Sequence, residues 1–122
     1  MEEVVNLTQD DVLDLIREFP IIPLRNKIII TTNVLELEDD EVDLGGNAFS
    51  PEQYVLAVGS YSKDIVSPGQ KVFLDVESMT VKVNNPDDVY NPVMKISLKP
   101  VEVEGKIFGV ITEDKIEYLI RG

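Results

Sequence analysis

The sequence predicts a small, mainly β domain: a barrel with a short N-terminal helix or arm and a long acidic loop. Three observations carry this. Short β-branched and aliphatic runs recur along the chain between Gly, Pro and Asn turns, the pattern of sandwiches and small barrels. Only one clear helical pattern occurs, at the N-terminus. Residues 33–52, about twenty in all, separate two strong strand patterns without a strand pattern of their own.

The helical pattern comes first. Thr8 is a candidate N-cap, and Asp10 and Asp11 stand in the first turn, where the helix dipole favours acids. Val12, Leu15, Ile16 and Phe19 then form one apolar stripe. Pro20 ends it, because proline lacks the N–H and restricts the residue before it. The stripe predicts an arm, residues 1–20, that packs on its own domain or on a neighbouring subunit.

Residues 21–122 read as a single β domain without an internal repeat. Strands are predicted at Lys27–Thr32, Tyr54–Val58 and Lys71–Val76, the last entered through the turn Ser67-Pro68-Gly69-Gln70. Met79–Val83 and Val93–Leu98 alternate like half-exposed strands around the loop Asn84–Asp88. Val101–Gly105 turns into Ile107–Ile111, and Ile116–Ile120 closes the series. Six of the eight residues from Glu36 to Asp43 are acidic, and Gly45-Gly46 follows. So long a connection in a compact domain is usually functional or disordered. It reads either as a solvated excursion or as a partner-binding loop.

Composition narrows the chemistry. The 122 residues are 43% apolar, enough for a core, and carry 11 basic against 23 acidic side chains, a net charge of −12. That charge argues against nucleic acid and anionic membranes as partners. With no Cys, His or Trp, disulfides, thiolate metal sites, His bases and Ser-His-Asp triads are excluded. No apolar run approaches the roughly 20 residues of a membrane span. Met1-Glu2-Glu3 has the wrong charge for a signal or transit peptide, so a cytoplasmic protein is expected. Asp39, Glu41 and Asp43 alternate like calcium ligands, but the glycine falls one place late for an EF-hand and Ser50 stands where its final Glu belongs. Neither a catalytic residue, a metal nor a cofactor is expected.

Three phrases in order resemble the GroES-like co-chaperonins. Ile22-Pro23-Leu24-Arg25-Asn26-Lys27-Ile28-Ile29-Ile30 matches the family's opening Pro-Leu and first strand. Tyr54-Val55-Leu56-Ala57-Val58-Gly59 matches its Val-Leu-Ala-Val-Gly strand end, followed by Val66-Ser67-Pro68-Gly69-Gln70-Lys71-Val72-Phe73 at its turn into the next strand. Val110-Ile111-Thr112-Glu113-Asp114-Lys115-Ile116 resembles its closing strands. Together the quoted residues make up about a quarter of the chain.

The resemblance implies a GroES-like barrel and a non-enzymatic, ring-forming lid, a heptamer, that caps an ATP-driven chaperonin in the cytoplasm. It implies a mobile loop whose contact residues here would be Val42, Leu44, Gly45, Gly46, Ala48 and Phe49, with Phe49 exposed until docking. In such rings the first strand, here Lys27–Thr31, pairs with the neighbour's last strand, here Ile116–Ile120. The departures are equally specific. Asn47-Ala48-Phe49 replaces the family's aliphatic tripeptide, the roof hairpin after Gly59 is missing, and a segment at about 78–98 and the N-terminal arm are added. Such remodelling is typical of viral relatives. The alternative is therefore a bacteriophage virion protein, a capsid auxiliary or decoration subunit on the same barrel, with capsid subunits as partners.

Overall fold

The computed structural model describes residues 6–35, 49–84, 87, 90 and 93–121. Helix α1 spans Gln9–Ile16. Thr8 caps it as the sequence predicts: its hydroxyl accepts from the Asp11 N–H, and the Asp11 carboxylate accepts from the Thr8 N–H at 3.0 Å. The Thr8 N–H first, and then the Thr8 hydroxyl, hold the Asp11 carboxyl below its ordinary pKa.

Among the described residues eight strands follow: β1 (Lys27–Ile30), β2 (Glu52–Val58), β3 (Lys71–Leu74), β4 (Thr80–Val83), β5 (Val93–Ile96), β6 (Lys99–Val103), β7 (Lys106–Thr112) and β8 (Ile116–Ile120). Six form one antiparallel sheet in the order β6-β7-β1-β2-β3-β8, while β4 and β5 pair apart as a hairpin. The predicted barrel is therefore corrected to an open sheet, because the end strands β6 and β8 do not join. The added segment contributes the separate hairpin and no strand to the sheet.

Predicted ends move where side chains take over from the ladder. The strand expected at Lys71–Val76 stops at Leu74, since the Asp75 carboxylate accepts from the Ser78 N–H and caps a short helix, α2 (Val76–Met79). Lys27–Thr32 stops at Ile30; at Thr31 the hydroxyl accepts from the Tyr54 N–H at 2.9 Å. The Pro68-Gly69 turn closes with the Gln70 N–H on the Ser67 carbonyl. Gly59 ends its motif because a Cβ there would collide with the Arg25 carbonyl.

The sheet buries both faces. Ile28, Ile30, Val55, Val58, Val72, Leu74 and Ile111 form one core with Val66 and Met79. Ile29, Leu56, Val103 and Phe108 form the second, roofed by the N-terminal arm through Val12, Leu15, Ile16 and Phe19. A bulge allows Val55-Leu56-Ala57-Val58 to serve both. Ile29 pairs with Ala57 and Ile30 with Val55, so Leu56 is the extra residue. Leu56 and Ala57 thus share one core, with Val55 and Val58 in the other.

The β6–β7 hairpin turns on Glu104 and Gly105, both at positive φ, 51° and 80°. That is the two-residue turn favouring Asn-Gly, and Glu104 is strained in it. Glu104→Asn is expected to raise stability by up to about 1 kcal/mol, read from the urea midpoint.

Candidate functional site

The acidic segment leaves the sheet after β1 and returns at β2, and its neck is built from amides. Gln53 is fully buried. Its Oε1 accepts from the Thr31 hydroxyl at 2.7 Å and the Asn33 N–H at 2.8 Å. Its Nε2 donates to the carbonyls of Asn33 (2.8 Å) and Ser50 (2.7 Å). One side chain thereby ties both legs together. The Ser50 N–H adds a bond to the Asn33 carbonyl at 3.1 Å, and Val34 bridges Phe49.

The arm reaches the same neck. The Asn33 side chain accepts from the Leu7 N–H and donates to the Leu7 carbonyl, each at 2.9 Å. Asn6 does the same to Val34, at 2.9 and 2.7 Å. Each asparagine stands in for a missing strand, satisfying backbone groups that a ladder would pair.

Of the expected contact residues, Val42, Leu44, Gly45, Gly46 and Ala48 lie outside the described residues. Phe49 lies within them and differs from expectation. It is half-buried and packs on the first core, so Phe49→Asp would disturb the core and is no neutral surface change. Pairing between neighbours is also corrected. β1 lies between β2 and β7 with both sides occupied, so it offers a neighbour no edge. Within the six-stranded sheet the strands with a free side are β6, which carries Lys99, Pro100 and Glu102, and β8. Lysine and proline discourage pairing along β6. β8 exposes Tyr118 and Leu119, at 52% and 39%, with Tyr118 stacked on Phe73 at 4.7 Å.

Sequence reading missed Gln53, Asn33 and Asn6. Gln53 did leave a signal: it sits two residues before the buried Val55 on the same strand, an inward position with a polar side chain. Among the described residues no three Asp or Glu gather as a metal site, and no helix is long and apolar enough to cross a membrane. The Asp114 carboxyl is held below its ordinary pKa, first by the Thr112 hydroxyl. No family model and no curated protein matches the chain.

Proposed function

We propose that this chain is a non-enzymatic, ring-forming co-chaperonin of the GroES-like type that caps a chaperonin with residues 42–49. The observation that carries the reading is the neck. A buried amide clamp fixes both legs of an acidic, Gly-Gly-containing segment at the position where the family resemblance puts a docking loop. A scaffold that holds out one short peptide binds weakly per copy, because ordering the peptide costs entropy. Several copies in one ring recover strong binding through effective concentration. With β1 enclosed, the free side of β8 can serve a ring only by meeting a different surface of the neighbouring copy.

Native mass spectrometry is expected to give a cyclic oligomer, a heptamer, that binds a chaperonin and suppresses its ATPase. Val42→Asp with Leu44→Asp should abolish that binding by more than about tenfold and leave the oligomer intact. A stable monomer, or binding unchanged in the double variant, would overturn the reading.

The half-buried Phe49 favours a second one, a virion auxiliary subunit in which this face is a static joint. Incorporation into particles without chaperonin binding would select it.

A further inference from the structure

The neck of the acidic segment and a group of basic side chains lie at opposite ends of the sheet. Residues 33 and 50 mark one end, where β1 finishes and β2 begins. At the other end, where β1 begins, lie two adjoining grooves that share Lys27 and Val110. One measures about 450 Å³ and is lined by Ile21, Pro23, Leu24 and Arg25. Its neighbour, about 410 Å³, carries Lys99 and Lys115 beside Met79 and Val101. In a chain with 23 acids against 11 bases, the two linings together hold four cations and no carboxylate. Among the described residues none of the four makes an ion pair. The nearby Asp114 carboxylate feels Lys115 and Lys27 and is already engaged by Thr112. Leu24 is 72% exposed on this surface, beside Ile22 at 81%.

We infer that these grooves receive residues 35–41 of a second copy of this chain. The stretch Leu35-Glu36-Leu37-Glu38-Asp39-Asp40-Glu41 matches them in chemistry, two leucines for the apolar floor and five acids for the four cations. Leu35, the described end of that stretch, is 49% exposed. Reach favours a neighbour. The six residues from 36 to 41 span at most about 20 Å, and the six steps from Asn33 back to Lys27 span as much. Folding back would use the entire reach, along a sheet whose faces already carry the arm on one side and Met79 and Phe49 on the other. A second copy meets no such obstacle. The contact is heterologous, acidic end to basic end, the type that closes rings or extends fibres. It leaves residues 42–49 for another partner and holds whether or not that partner is a chaperonin.

Carbodiimide cross-linking tests this on the full chain, alone, in an equal mixture of 14N- and 15N-labelled copies. Peptides joining Lys27, Lys99 or Lys115 to residues 36–41 are expected, about half of them carrying both isotopes, as random pairing of copies requires. Lys27→Glu with Lys99→Glu, both at exposed positions, should lower the yield at Lys115, whose amine the variant keeps, to about a tenth while the melting curve is unchanged. Mixing that variant with a Glu38→Lys, Glu41→Lys copy should restore cross-links between the two chains. Cross-links of single isotope only, indicating fold-back within one copy, would overturn the proposal. So would their absence, or a yield indifferent to charge reversal. A failure to bind chaperonin would not affect any of these results.

Discussion

Deleting residues 1–19 is expected to lower the melting temperature of the isolated protein by about 15–25 °C. The arm buries Val12 completely and half-buries Leu7, Leu15, Ile16 and Phe19 over the second core. Full burial of such side chains contributes about 1.5–3 kcal/mol each, so one full and four partial burials amount to about 5 kcal/mol. Phe19 also meets Phe108 edge-to-face, with centroids 5.6 Å apart. Loss of the arm leaves Leu56, Phe108 and Val103 in water and removes the Asn6 and Leu7 bonds to the neck. A thermal melt followed by circular dichroism measures the effect. A shift of less than about 3 °C would mean that the arm adds nothing to its own domain and serves a neighbour instead.

Gln53→Leu is expected to cost about 3–5 kcal/mol in urea unfolding, a large part of the stability of a domain this size. The leucine fills the space but removes four bonds at once: the Thr31 hydroxyl loses its acceptor, the Asn33 N–H and the Ser50 carbonyl lose their partners, and the Asn33 carbonyl keeps only the Ser50 N–H. Gln53→Glu separates this from a packing defect. A carboxylate there still accepts two bonds, yet it faces two carbonyls that need donors, and burial further raises its pKa in the folded state. Because the folded pKa lies above the unfolded one, the variant keeps its stability below the unfolded value and loses it as pH rises through the folded value. Its deficit against the native protein should therefore be smaller at about pH 4 than at about pH 7. An equal deficit at both, or a Gln53→Leu cost below about 1 kcal/mol, would remove Gln53 from the neck's stability.

Local chemistry was legible where it acts over a few residues. The Thr8 cap, the Pro68-Gly69 turn and the span Ile116–Ile120 stand as the sequence predicts. Non-local choices were not. Alternation tells which residues face inward but not which strands are neighbours, so nothing in Lys27–Ile30 announces that both its sides are taken. The open sheet depends on two edges that never meet, again a matter of topology. At the candidate site, the acidic run was plain from composition, while its neck was not. Asn6 and Asn33 are 27 positions apart and look like ordinary loop residues; only the fold aligns the Asn6 amide with the Val34 backbone and the Asn33 amide with that of Leu7.

The Gln53 clamp also has a meaning for change over time. All four of its hydrogen bonds end on residues 31, 33 and 50, so none depends on the identity of residues 36–48. The segment is in effect a cassette, and the domain tolerates substitution there as long as the clamp is kept. Replacing 36–48 with a Gly/Ser linker of the same length should leave the unfolding free energy within about 1 kcal/mol of the native value. Binding specificity can then diverge between copies while the framework stays constant, and a foreign peptide inserted at the same place would be displayed from a ready-made mount.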